Sequence, residues 1–552
     1  MKHIILPSLF ILSAVTFACG QMPGTASAEY TFDDAAEISS WTLQATGDAA
    51  KRMPKPKVTD GRLYLLESWE KSTAAVALAP PAPGLFRQLD INFEIIMNTG
   101  TEGAGFVLLD TAKYGEDNTV PEFSKWEEPS LLRAFGVGFD ASDPVNRDPF
   151  RGSGNIYDRP QHEISLHWDG YEIIKRVTET EFRDEEPHPV IIHIEFVTGG
   201  AEVSLRLDDE IVYDRYFIPS MTVFSGRPVF AARNGETAGD VLVDELKLAA
   251  TGPMQLAPAP LSITAIDHKI NDKDHQRNEA VVQFPVNNDE YARIICTLSL
   301  DKPETRFDPW DRIAEVNIFS DDGEKFELLR YITPYHRGYT WKVDVTDFRP
   351  LLQGEKKLEQ VCGTYGEGWV VTLKFDFYPG KTDRIAYKVI NLWSGNPEIG
   401  NPDKPVEDFY KPLTVPVAGA DYAKVRIVVS GHGMSPNTDN AGEFMPIGRT
   451  LKTGDKEFRN KLWKTDNYLN PCRPQGGTWK YDRAGWAPGD IVRPWKIDIS
   501  DLIKGKDEIT LDYDLDPYFN EARGKTWAPT HRTESQLILY KKYPAANTNQ
   551  DH

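Results

Sequence analysis

The sequence predicts an all-β protein of three sandwiches, on three observations. Short segments that alternate apolar and polar residues recur along the chain with Gly, Asn, Asp or Pro between them, and no amphipathic pattern runs beyond about three helical turns. The 552 residues exceed what one core holds, since single cores stop growing near roughly 250–300 residues. One stretch also returns 154 positions later, which marks two copies of one unit.

At the start, Lys2 and His3 precede an apolar run, Ile4 to Ala18, too short to span a bilayer but suited to a secretory leader. Two endings fit. Cleavage after Ala26-Ser27-Ala28 leaves Glu29 as the mature start and makes 1–28 the signal peptide; lipoprotein processing at Cys19 uses Thr16-Phe17-Ala18-Cys19, which resembles a lipobox without its leucine. Either ending exports the chain, to the periplasm, to the outer membrane as a lipoprotein, or to the medium. A lipid anchor at Cys19 is the one membrane attachment expected, and no spanning segment is. The net charge of −21 excludes nucleic acid and anionic lipid as partners held by bulk electrostatics. Beyond Cys19 only Cys296, Cys362 and Cys472 occur, without CxxC or Cys/His spacing, so no metal is expected.

Residues 29–250 form the first sandwich. Asp60-Gly61 leads into the strand 62–66, strands at 89–96, 163–169 and 203–207 alternate, and 190–196 is a β-branched run. With the segments 103–108, 135–139 and 240–247 the order resembles concanavalin-like jelly rolls, which implies glycan binding. The Glu-x-Asp-x-x-Glu string of retaining glucanases on that fold is missing, so no sugar hydrolysis is expected here. Trp69, Trp126 and Trp168 read as core residues, and His162, His167, His188 and His193 as hydrogen-bonded strand residues. The proline- and alanine-rich 251–260 reads as a linker.

The repeat follows. Trp341 to Phe348, WKVDVTDF, is echoed by Trp495 to Leu502, WKIDISDL, each a strand whose Thr or Ser is expected to cap a short helical turn. The copies are placed at 261–412 and 413–545. Polar and aromatic clusters fall in both. Asp308, Trp310, Asp311 and Arg312 crowd the first, with Tyr331 to Tyr335 after them; the second has Ser430 to Gly433, Gly442 to Phe444 and the glycine-rich 476–489. Glycines beside tryptophans let backbone and ring approach a flat sugar, and a carboxylate from each copy would flank a scissile bond at their junction.

WDR at 310–312, RYITPY at 330–335, DVTDF with LL and G over 344–354, SGHG at 430, GEF at 442 and DRAGWAPG at 482–489 stand in the order shown by the peptide-N-glycosidase F family, which 261–545 resembles. The resemblance implies tandem jelly rolls and hydrolysis of the amide joining N-acetylglucosamine to asparagine in N-glycosylated peptides and glycoproteins, by a monomer without metal or organic cofactor. It makes Asp311 the group that activates water and Glu443 the group that holds that water or the first sugar. Arg312 and Arg483 would stabilise charge on the carbonyl oxygen. Trp310, Tyr335, Tyr365, Glu367, His432, Trp479 and Trp486 complete the expected substrate surface.

Departures accompany it. A third acidic position of the family falls on Gly363, with Tyr365 in a tryptophan's place, and Glu367 substitutes only if its loop folds inward. His432 replaces a tryptophan and Ala487 a cysteine, so Cys472 lacks that partner. These predict reduced activity or an altered substrate, and keep open a glycan-binding surface protein that retains the fold without hydrolysis. Copper-dependent hydroxylation on paired jelly rolls needs histidine clusters, and 261–545 holds only His268, His275, His336, His432 and His531.

Overall fold

The computed structural model describes residues 25–34, 38, 41–47, 55–78, 84–116, 120–141, 162–253, 259–433, 442–518 and 528–543. The chain is all-β. In the first sandwich one sheet runs, in spatial order, Glu210–Pro219, Gly200–Leu207, His188–Val197, Phe86–Met97, Val241–Pro253, Arg62–Leu66 and Lys57–Thr59, with Thr25–Tyr30 also on Val241–Pro253. The facing sheet runs Tyr171–Val177, Glu163–Trp168, Ala134–Asp140, Gly103–Asp110, Gly226–Asn234, Ser72–Ala77 and Thr42–Gly47. Alternation decides which side chains enter the core: Val190, Ile192, Ile194 and Phe196 are buried while the residues between them face outward. Trp168 lies in this core, Trp69 packs on its edge, and Trp126 fills a smaller cluster under the second sheet. The histidines are tied to neighbours, His167 to Ser130 and Ser165, His188 to Asp184 and Asp208, His193 to Asp90 and His162 to Glu181.

The leader, with Cys19, lies outside the described residues. Thr25–Tyr30 is a strand whose Ala26, Ser27 and Ala28 pair with Ala250, Ala249 and Leu248, so cleavage after Ala28 would take four residues from it. Among the described residues no helix is long and apolar enough to cross a membrane. The linker expected over 251–260 is shorter, because Thr251 and Pro253 still pair with Gln88 and Phe86 and the next strand opens at Leu261; residues 254–258 lie outside the description.

The second and third sandwiches repeat one topology. The second has sheets ordered Leu261–Asn271, Trp369–Pro379, Tyr291–Asp301, Thr340–Asp344 and Arg277–Gln283, Glu355–Cys362, Ile313–Phe319, Lys325–Ile332. The third has Arg384–Gly395, Thr530–Lys542, Tyr422–His432, Trp495–Asp498 and Leu413–Pro416, Glu508–Leu515, Ile447–Thr453, Lys456–Leu462. Arg384–Gly395 is therefore the third sandwich's first strand, and the junction falls at 380–383 rather than at 412/413. The repeated WK-D-[TS]-D string holds the same corner in each copy. Asp344 and Asp498 accept the backbone N–H of Thr346 and Ser500, whose hydroxyls accept from Ile294 N and Ala423 N on the neighbouring strand. The carboxylate two residues earlier, not the expected Thr or Ser, caps the 3-10 turn, and the hydroxyl ties that turn to the sheet.

Buried charge joins these two sandwiches. Arg330 is 0% exposed; it donates to Glu327 at 2.8 and 3.1 Å and crosses to Ser430 Oγ at 3.0 Å and Arg532 O at 2.6 Å. Arg426 answers from the third sandwich, donating to the carbonyls of Glu327 and Leu328. Ile332, Val428, Trp486 and Val492 seal the seam with a small apolar cluster. The first sandwich docks on both others. Tyr339 Oη donates to Glu172 O, Tyr378 Oη to Ser220 Oγ, Arg293 stacks 3.8 Å from the Phe217 ring, and Arg473 reaches Glu172 and Glu128.

Removing one member of a buried pair leaves the other charged and dry, at a cost of about 3–5 kcal/mol. Arg330→Ala is expected to lose that much in urea unfolding, whereas Lys504→Ala, which cuts an exposed pair with Asp501, should leave the midpoint unchanged. Equal midpoints for the two variants would contradict this account of the seam.

Candidate functional site

The site begins with a buried carboxylate. Asp308 is 0% exposed and accepts the Trp310 backbone N–H at 2.9 Å and the Thr364 hydroxyl. Its own backbone bonds Gly368 O and His336 N. Gly366 lets that carboxylate in, since a Cβ there would stand 2.3 Å from Asp308 Oδ2. Thr333 then clamps the following residues: its hydroxyl accepts Arg312 N at 2.7 Å and donates to Trp310 O at 3.2 Å, while its N–H donates to Arg312 O. With 308 to 312 held at these amides, the half-buried Asp311 is presented at the turn's apex beside the Tyr335 hydroxyl. Of the two aspartates in this cluster, Asp308 shapes the loop and Asp311 is the one presented.

Glu443 comes from the third sandwich. Its N–H donates to Gly433 O and its carbonyl accepts from Ala484 N, and its Oε1 accepts Arg483 Nε at 3.0 Å. Arg483 is fully buried. Nη1 donates to Thr478 O and Tyr481 O, Nη2 to Thr478 Oγ1, and the guanidinium lies 4.7 Å from the Trp486 ring and 5.1 Å from that of Phe444. Four of the five N–H groups of this dry guanidinium are taken, one of them by Glu443, so that Arg483 positions Glu443 with a single Nη2 N–H left over.

The two halves meet across the seam. Burial pushes the Glu443 carboxyl above its ordinary range, the Asp311 carboxylate pushes it the same way, and Arg483 pulls against both. Burial, then Asp311, likewise raises the Tyr335 phenol. Tyr335 Oη also lies 3.5 Å from Thr478 Oγ1, so the second sandwich's tyrosine touches the loop that holds Arg483.

The chain neighbours of Asp311, Trp310 and Arg312, line a cleft of about 920 Å³ together with Pro309, Tyr365, Gly366 and Glu367 among others, and neither Asp311 nor Glu443 is part of its wall. Trp310 is 58% and Tyr365 86% exposed, as stacking surfaces for a sugar would be. Arg312 lies 5.6 Å from the Tyr365 ring, and its sole polar side-chain contact among the described residues is a 3.7 Å approach to Asp308. Its Nη groups thus remain available as donors. Glu367 faces this cleft bonded to Arg306 Nε at 2.9 Å.

Trp486 departs from the expected sugar surface. It is buried in the seam and its Nε1 donates to Gly431 O at 2.7 Å, so it supports Arg483 from behind. His432 stacks on Trp486 with ring centroids 5.1 Å apart and bonds Ser430; burial, then Arg330 and Arg532, hold its imidazole well below the usual histidine range. Trp479 is half-buried on the loop that carries Thr478. Sequence reasoning passed over Thr478, Thr333 and Thr364, hydroxyls that position the site; Thr478 adjoins the glycine pair 476–477, the one signal that marked it.

A carboxyl raised in the folded protein adds stability below its unfolded value of 4.5, and loses it as pH rises through the raised value. Glu443→Gln lacks that titration. The thermal stability of the wild type relative to Glu443→Gln should therefore fall as pH rises from the unfolded value through the raised one; a constant difference would contradict the placement of Glu443.

The family model described as peptide-N-glycosidase F, C terminal, matches residues 410–540. Among curated proteins the chain is 26% identical over 307 residues to the peptide-N(4)-(N-acetyl-β-D-glucosaminyl)asparagine amidase F of Elizabethkingia miricola, covering 52% of this chain and 85% of that one. Among solved structures, PNGase F, a glycosylasparaginase from Flavobacterium meningosepticum, is 23% identical with a TM-score of 0.46 over 51% of this chain and 95% of its own. PNGF-II is 14% identical with a TM-score of 0.42 over 83% of this chain and 100% of its own. Over residues 410–540 the chain carries the carboxy-terminal domain of the peptide-N-glycosidase F family, and its carboxy-terminal half as a whole is similar to that family's amidase.

Proposed function

We propose that the protein hydrolyses the amide joining N-acetylglucosamine to asparagine in N-glycosylated peptides and glycoproteins, leaving aspartate and releasing the intact glycan as a glycosylamine, which then loses ammonia to water. One observation carries this reading: Asp311 and Glu443, from different sandwiches, face one seam, where the Asp311 carboxylate and burial together raise the Glu443 carboxyl. An amide yields only when the attacking water loses its proton as it adds and the carbonyl oxygen finds a donor. Asp311, at the apex of its turn, takes the proton from water. Glu443, raised by burial and by Asp311, retains a proton to higher pH than an ordinary carboxyl, and so donates a hydrogen bond to that water or to the first sugar. Arg312, with its Nη groups free, meets the carbonyl oxygen. Trp310 and Tyr365 stack on the glycan. The leader-like Lys2 to Ala18 supports an exported enzyme, which would meet glycoproteins outside the cytoplasm.

A second reading, a glycan-binding protein without hydrolysis, is favoured by Gly363. Glu367 is held by Arg306, so it does not refill the family's third acidic position. A side chain fits at that position, because a Cβ on Gly363 meets nothing nearer than Gln276 Oε1 at 3.7 Å.

Purified protein incubated with a denatured N-glycopeptide should convert its asparagine to aspartate and free the whole glycan. Asp311→Ala should lower kcat about a hundred- to ten-thousand-fold, the range for losing a general base, and Gly363→Glu should be at least as fast as wild type. Glycopeptide binding without conversion in the wild type would overturn the amidase and leave the second reading.

A further inference from the structure

The first sandwich lies outside the family resemblance, yet one strap of the third sandwich ties it to the site. Arg473 carries the tie. Nη1 donates to Glu172 Oε1 at 2.9 Å and Nη2 to Glu128 Oε1 at 2.8 Å and Glu172 Oε2 at 3.2 Å, both glutamates belonging to the first sandwich. Among the described residues of its own sandwich its side chain bonds the carbonyls of Leu469 and Asn470 alone, each at 3.3 Å. The glutamates are themselves fixed by the buried Lys175, 2.7 Å from Glu128 and from Glu163 and 3.7 Å from Glu172. Against burial, which pushes it up, Lys175 and Arg473 hold the Glu128 carboxyl at about 2.

Downstream of Arg473 the strap runs onto the wall of the site. Pro474 O accepts from Arg337, and Gln475 Oε1 accepts the Tyr335 backbone N–H at 3.0 Å. Gly477 lies flat on the Tyr335 ring, where a Cβ would come within 2.9 Å of it, and Thr478 holds Arg483 by both its carbonyl and its hydroxyl. A shift of the strap would therefore move Tyr335 against Asp311 and Arg483 against Glu443 together.

We propose that Glu128 and Glu172 of the first sandwich are positioning residues for hydrolysis, acting through Arg473 to fix the strap 473–478 and with it Tyr335 and Arg483. This rests on the amidase reading for its kinetic consequence, while the clamp itself stands without it. The first sandwich is then part of the machinery as well as any carrier of glycan. A misplacement of about 1 Å in a catalytic constellation costs on the order of a hundredfold in rate, so a small slackening is enough to detect.

The test compares Arg473→Met, Arg473→Lys and Glu172→Gln in the full chain with Tyr378→Phe, which removes a different contact of the same interface, to Ser220. Hydrogen exchange of the segments 333–337 and 474–484 and, separately, kcat and KM on an N-glycopeptide are measured. Arg473→Met and Glu172→Gln are expected to speed exchange in both segments and to lower kcat tenfold or more with KM changed less than threefold. Arg473→Lys should recover part of the loss, and Tyr378→Phe should match wild type. Unchanged exchange overturns the clamp even if the wild type proves not to hydrolyse glycopeptides. Faster exchange with unchanged kcat in an active enzyme overturns the positioning role. Should Arg473→Met fail to fold, Glu172→Gln, which keeps shape and removes only charge, decides alone.

Discussion

A guanidinium out of reach of water holds the site together. Arg330 binds Glu327 within its own sandwich and, across the seam, Ser430 and the carbonyl of Arg532. A buried charge tolerates few arrangements, because every partner lost leaves it uncompensated in a low dielectric. The two jelly rolls are thus fixed at one separation and one angle. A site divided between them needs that constraint: Asp311 belongs to one sandwich and Glu443 to the other, and each is useful only at a set distance from its counterpart.

The same economy recurs within each half. Asp308 is buried so that Asp311 need not be, and Arg483 is buried so that Glu443 is aimed. In both cases a buried, hydrogen-bonded ion organises a loop and a neighbouring carboxylate, one of the two in the proposed hydrolysis, is presented. Trp486, His432 and the threonines at 333, 364 and 478 belong to this supporting layer. Around it the exposed Trp310 and Tyr365 offer apolar faces that a folded protein otherwise covers, and they border the cleft that Arg312 also lines.

Much of this was legible in the sequence, for identifiable reasons. A buried strand leaves a period of two, as at Val190 to Phe196, and a corner that must form twice leaves the same letters twice, as in WKVDVTD and WKIDISD. The junction differs from the expected 412/413 because nothing in the letters of Arg384–Gly395 says which sandwich it joins, and only its pairing with Thr530–Lys542 assigns it. Nor does a sequence show which of two guanidinia is dry. Arg312 and Arg483 read alike, but one faces a cleft and the other lies between two aromatic rings. The contact of Arg473 with Glu172 was illegible for a simpler reason, as the partners stand 301 residues apart in different sandwiches.

The central claim is that carboxylates from two sandwiches act on one bond. A double-mutant cycle on kcat/KM with Asp311→Asn and Glu443→Gln tests it most directly, since groups that act as a unit lose little more when both are removed than when the more important one is. The account predicts a double variant no slower than Asp311→Asn by more than a few-fold. Losses that multiply in full would contradict it, for they would mean that Asp311 and Glu443 serve separate sites.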